Sequence, residues 1–202
     1  MFRCDPSLSL GRIVLRELKR FCFWVGPKWE GFAFRGGIRV MGFEFFQSHA
    51  TGESKLEIPQ MGLELTVRLP QEISGGALTI LETVNAPGFG PPLHRHHETE
   101  IFRVFEGKYL YEVDGRRFYA VEGDVVSVPG WAAHTFTNVS QSAARQLVLM
   151  LPAMDALRFF TELGELMTAG RPDLPTLNKF GAPWGVEFLG PPIHETATSR
   201  GN

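Results

Sequence analysis

The chain is poor in several features that would settle its class at once. Only two cysteines, Cys4 and Cys22, occur in 202 residues. A disulfide-stapled scaffold is therefore excluded, and a reducing, cytoplasmic compartment is the expectation. No apolar run approaches the roughly 18 residues of a membrane-spanning helix, and the first residues show no secretory signal pattern. Net charge is nearly absent as well: 20 Lys and Arg against 22 Asp and Glu leave −2. That balance removes any bulk electrostatic case for nucleic acid, and no DNA-binding module is recognisable. A hydrophobic share of 44 % excludes intrinsic disorder. What is plentiful is punctuation, with 22 Gly and 14 Pro, which suits short strands and turns better than a helix bundle.

The near-zero charge hides an asymmetry. Residues 1–40 hold eight Lys and Arg against three Asp and Glu, whereas residues 41–202 hold twelve against nineteen. Both cysteines lie in the first part. From Leu10 to Cys22, Leu10, Ile13, Val14, Leu18 and Phe21 recur at helical spacing, with Arg12, Arg16, Lys19 and Arg20 on the other face. Three readings stay open for this stretch. It is an extension without function upstream of a start at Met41 or Met61, a helix lying on an anionic membrane, or a segment packed on the rest. Residues 47–60 read as a polar linker.

From Leu63 onward the texture is short alternating runs: Leu63–Leu69, Ala77–Val84, Glu100–Phe105, Lys108–Val113, Arg116–Val121, Asp124–Val128, His134–Asn138 and Ala144–Leu151. Asp114-Gly115 between two such runs is a strong hairpin signal. The pattern predicts an all-β antiparallel sandwich or barrel. One amphipathic helix is expected over Met154–Met167, with Leu157, Phe160, Leu163, Leu166 and Met167 on its apolar stripe. The tail, Arg171–Asn202, is rich in Pro and Gly and is expected to wrap the surface. The domain plan is thus an N-terminal extension (1–60), a barrel (61–152), and a helix and tail packing on it (153–202).

Four of the six histidines lie between residues 94 and 134. His94 and His96 are two apart, so on a strand both imidazoles leave from one face. A turn at His97-Glu98 would return Glu100 beside them, and His134 opens a later strand. Imidazoles and a carboxylate on one face form a ligand set for divalent metals, with positions left open for water, oxygen or substrate. His97 and Glu98 read as solvent-facing turn residues, with a role in orienting ligands or moving protons as the alternative.

Gly88, five residues, His94-Arg95-His96, three residues, Glu100, six residues and Gly107 resemble the first motif of the cupin superfamily. Gly123, five residues, Pro129, four residues, His134, three residues and Asn138 resemble the second. One position departs, since Trp131 stands where the family usually has glycine. The wider likeness, to small single-domain bacterial cupins of the quercetin-dioxygenase type, takes in the closing Glu187-Phe188-Leu189-Gly190-Pro191-Pro192. The resemblance implies a double-stranded β-helix, or jelly-roll barrel, with a C-terminal helix. It implies His94, His96, Glu100 and His134 as ligands of one divalent metal ion. Iron, manganese or nickel is favoured, with zinc, cobalt and copper accepted by the same donors. A homodimer is implied as well.

By strand parity Phe102 and Val104 share the side of Glu100, and Phe136 the side of His134, while Trp131 is expected at the pocket mouth. Such a lining suits a small apolar or aromatic substrate better than a phosphorylated sugar. The leading functional expectation is a metal-dependent, dioxygenase-like oxidoreductase acting on an enolic substrate, with Glu100 as ligand and base. The alternatives are a metal-dependent isomerase, epimerase or lyase, and a non-catalytic barrel that binds a small ligand.

Overall fold

In the computed structural model, residues 42–49 and 55–195 are described, and the basic stretch Leu10–Cys22 lies outside them. One sheet runs β1 (Leu56–Ile58), β2 (Leu63–Leu69), β3 (Thr79–Asn85), β10 (Ala144–Leu151), β5 (Thr99–Glu106) and β8 (Val125–Val128). The other runs β11 (Glu187–Gly190), β4 (Leu93–Arg95), β9 (His134–Asn138), β6 (Lys108–Val113) and β7 (Arg116–Val121). All neighbours are antiparallel. From β3 to β10 the chain changes sheet at every step except the β6–β7 hairpin, which is the winding of a jelly-roll barrel. The hairpin turns on Asp114 and Gly115, both with positive φ as a two-residue type I′ turn requires. Among the described residues no helix is long and apolar enough to cross a membrane.

Period-two alternation places the core. Leu81, Thr83 and Asn85 of β3 and Gln146, Val148 and Met150 of β10 are buried, and their neighbours in sequence are partly exposed. Between the sheets Phe102, Tyr109, Tyr111 and Phe136 pack ring against ring, with centroids 5.5–6.1 Å apart. Two of these rings bring hydroxyls inside, and each is matched. Tyr109 donates to Asn85 Oδ1 at 3.0 Å and Tyr111 to Gln146 Oε1 at 2.5 Å. Burial pushes both phenols above their ordinary value, so they stay protonated donors.

The C-terminal region is more ordered than the composition suggests. Helix α1 (Ala156–Leu166) starts where Asp155 accepts from the Arg158 N–H, close to the expected span. Its buried stripe is Ala156, Phe159 and Leu163, continued by Met167, whereas the expected Leu157 is 57 % exposed. Phe159 is drawn inward by Phe180 and Trp184, whose rings lie 5.4 Å from it. Helix α2 (Leu174–Gly181) and strand β11 lie within the Pro- and Gly-rich tail. Pro175 does not break α2, because it sits in the first turn behind the Asp173 cap. In the stretch read as linker, β1 buries Ile58 to 1 % exposure.

The segment 88–92 prolongs the edge that short β4 leaves open on β9. Asn138 donates to Phe89 O and Gly88 to Asn138 O. This brings backbone against backbone at Gly90, where a Cβ would lie 1.8 Å from Phe136 O. Gly90→Ala should cost about 1–3 kcal/mol, read as a thermal midpoint lowered by several degrees. Gly42→Ala, with nothing within 4 Å of its would-be Cβ, should leave it in place. Equal midpoints for the two variants would contradict this packing.

Candidate metal centre

β4 is three residues long, and its partners decide where the first histidines go. His94 faces His134 of β9 on one side and Phe188 of β11 on the other. His96 follows the strand end, where its carbonyl accepts a 2.6 Å hydrogen bond from Trp131 N–H. Trp131 has φ +68°, the left-handed conformation that glycine adopts freely and that costs other residues roughly 1–2 kcal/mol. Trp131 thus holds a backbone conformation that a glycine would adopt without strain. Gly130 packs just as closely, since a Cβ there would meet His97 O at 2.2 Å. The two loops of the metal motifs lock each other.

The outcome is a triangle of imidazoles. Ring centroids are 4.3 Å apart for His94–His134, 5.0 Å for His96–His134 and 5.4 Å for His94–His96. Each residue offers a nitrogen, and these three atoms lie within 4.8 Å of one another. His94 Nδ1 is 2.8 Å from Pro92 O and His134 Nδ1 is 2.9 Å from Ala132 O. A carbonyl only accepts, so both Nδ1 atoms bear hydrogen and Nε2 is the atom each ring presents to the site. Glu100 stands beside them, with Oε2 3.0 Å from His134 Nε2 and Oε1 3.8 Å from His96 Nε2.

The electrostatics suit ligation. Burial, then the neighbouring His134 and His96, push the His94 imidazole down to about 3, so it is a neutral donor. Burial works to raise Glu100, but His134, 3.0 Å away, and the surrounding imidazoles outweigh it and hold the carboxyl at about 2. Burial works to lower His96, while the Glu98 and Glu100 carboxylates lift it above the ordinary imidazole value. Three imidazoles with an ionised carboxylate at their side fit a divalent cation. His94, His96 and His134 can hold a metal ion.

Glu98 differs from the reading of a solvent-facing turn residue. His97 is half-exposed, but the Glu98 side chain beside it is only 4 % exposed and lies 3.0 Å from His96 Nδ1. Turn signals gave no hint of this, because an acidic residue in a turn is ordinarily solvated.

A cavity of about 90 Å³ opens against the histidines. Phe102, Phe136, Phe159, Phe160 and Phe188 furnish aromatic walls, Thr83 and Asn85 polar points, and no Lys or Arg lines it. Of the expected pocket residues, Phe102 and Phe136 line this cavity and Val104 and Trp131 do not. Val104 has the right parity but lies two residues further along β5, in the solid core at 1 % exposure. Trp131 points outward, 59 % exposed, its ring 6.4 Å from that of His97. Phe159, Phe160 and Phe188 come from segments outside both motifs, and only the helical periodicity and the closing Phe188 signalled them.

Purified protein should hold one divalent ion per chain at this triangle, and His94→Ala/His96→Ala should abolish it by elemental analysis. Chelation should lower the thermal midpoint of the parent chain and leave that of the double variant unmoved. Retention of a stoichiometric ion in the variant would contradict the assignment.

Residues 81–150 match the family model for the cupin domain. No curated protein matches the chain. Among solved structures, an RmlC-like cupin from Shewanella frigidimarina is similar at 18 % identity and a TM-score of 0.50, over 56 % of this chain and 96 % of that one. KdgF from Halomonas sp. is similar at 19 % identity and 0.48, over 57 % and 99 %. At such identities the likeness is one of fold. The domain match spans both histidine-bearing strands, and over these residues the winding of the sheets agrees with a cupin domain.

Proposed function

We propose that this protein is a metal-dependent oxidoreductase, dioxygenase-like, acting on a small apolar or aromatic enolic molecule. The supporting observation is the cavity: apolar, about 90 Å³, ending on His94, His96 and Glu100, with no cationic residue in its lining. A phosphorylated sugar would bring a dianion into a wall of Phe, Leu and Met, at a desolvation cost nothing there offsets. At about 90 Å³ the cavity is smaller than the roughly 150 Å³ that accommodates benzene, so nothing larger than a single small ring suits it.

His94, His96 and His134 would hold the ion, through Nε2 for His94 and His134, and Glu100 would be a fourth ligand. Iron, manganese or nickel bound there supplies Lewis acidity and a one-electron route to dioxygen. Glu100, which lines the cavity, would take the proton of an enolic hydroxyl entering it. The surrounding Phe side chains exclude water, which strengthens each charge interaction within. Thr83 and Asn85 offer hydrogen bonds to one polar group of the ligand.

Iron- or manganese-loaded protein should take up oxygen in proportion to the loss of a monocyclic enol or phenol. Glu100→Gln should slow this about 100-fold or more. Absence of oxygen uptake across such a panel would contradict the proposal. Turnover under argon with zinc bound would point instead to an isomerase or lyase.

A further inference from the structure

Glu98 is buried without lining the cavity. Among the described residues its ion-pair partners are His96 and His97 alone, with no Lys or Arg. A carboxylate taken out of water without a cation costs several kcal/mol unless it has a compensating role. Its neighbours indicate that role. Oε2 lies 3.0 Å from His96 Nδ1, and both atoms are buried with no hydrogen bond made, so each is the nearest polar group the other has to satisfy it. Oε1 is 3.3 Å from Nδ1 of His97.

The other two rings of the triangle show what His96 lacks. His94 and His134 each direct Nδ1 to the carbonyl two residues earlier. For His96 the facing acceptor is a carboxylate oxygen from two residues later. A ring free to choose its tautomer would spend part of its time with hydrogen on the atom needed for the metal. A ring whose Nδ1–H faces an anion is held in one tautomer and is a stronger donor than one held by a neutral carbonyl.

We propose that Glu98 is a positioning residue for the metal centre, fixing the hydrogen of His96 on Nδ1 so that Nε2 is the ligand atom. The proposal rests on the reading of His94, His96 and His134 as metal ligands. Glu98 lies behind His96 and acts only through it. Its carboxylate also adds a negative charge beside a dication already facing Glu100, which favours retention of the ion. The Pro129–Trp131 turn keeps the carboxylate in place by gripping the His96 and His97 carbonyls.

The test is cobalt(II) affinity, measured by competition with a chelator, in the parent chain, Glu98→Gln and Glu98→Leu, together with ¹⁵N NMR of the histidine rings in zinc-loaded protein. Glu98→Leu should weaken cobalt binding by roughly 10- to 100-fold. Glu98→Gln should weaken it less, because its amide oxygen still accepts. In the zinc-loaded parent, His96 should show a protonated Nδ1 and a coordinated Nε2. In Glu98→Leu the His96 signals alone should move, since backbone carbonyls hold the other two rings. Parent affinity in Glu98→Leu, or a parent His96 coordinated through Nδ1, would overturn the proposal and leave the metal site standing. A parent chain that binds no cobalt would overturn both. Should Glu98→Leu fail to fold, the parent tautomer and the Glu98→Gln affinity decide between the same outcomes.

Discussion

Three imidazoles can share one cation only if each ring turns a lone pair, and not an N–H, toward the same point. This constraint organises the site. The carbonyls of Pro92 and Ala132 settle it for His94 and His134. Those carbonyls are in place because β4 and β9 pair at His94 and His134 themselves. The contact between the 96–99 turn and the Pro129–Trp131 turn serves the same end, through backbone hydrogen bonding and an approach that only Gly130 permits. Trp131 accepts a left-handed backbone to maintain that contact.

A cluster of buried ionisable groups is costly on its own, and the rest of the barrel bears that cost. The aromatic stack of Phe102, Tyr109, Tyr111 and Phe136 lies directly behind the site. Fully burying such a side chain contributes about 1.5–3 kcal/mol. The two buried phenols introduce no unpaired hydroxyl, because Asn85 and Gln146 accept from them. Helix α1 and strand β11 complete the enclosure, bringing Phe159, Phe160 and Phe188 to a cavity that the two motif segments alone would leave open. The apolar walls and the polar centre are complementary: the walls lower the local dielectric response, and the centre gains strength from it.

Much of this was legible in the sequence, for identifiable reasons. Strand positions followed from period-two alternation, and the β6–β7 turn from Asp114-Gly115. His94, His96 and Glu100 pointed to one face through their spacing about a short turn, and His134 joined them through the resemblance to the second cupin motif. Features set by contacts between distant segments were not legible. Parity puts Val104 on the inner face but does not reveal that the cavity ends before it. Leu157 and Phe159 satisfy neighbouring helical stripes equally well, and the choice was made by Phe180 and Trp184 of the following segment. Pro175 and the surrounding glycines disguised α2 and β11, since proline in a capped first turn and proline in a loop look alike along the chain. Glu98 was hidden because an acidic residue in a turn is ordinarily solvated, whereas here its side chain is buried beside His96.

The central claim is that His94, His96, Glu100 and His134 converge on one ion. An anomalous-difference map of crystals grown from metal-replete protein, recorded at the absorption edge of the metal, tests it most directly. The expected result is a single peak per chain, about 2.0–2.2 Å from one nitrogen of each of the three imidazoles and from a Glu100 oxygen, if these follow the bond lengths usual for such ligands. A map with no peak inside the triangle, or with its peak on other residues, would contradict the account.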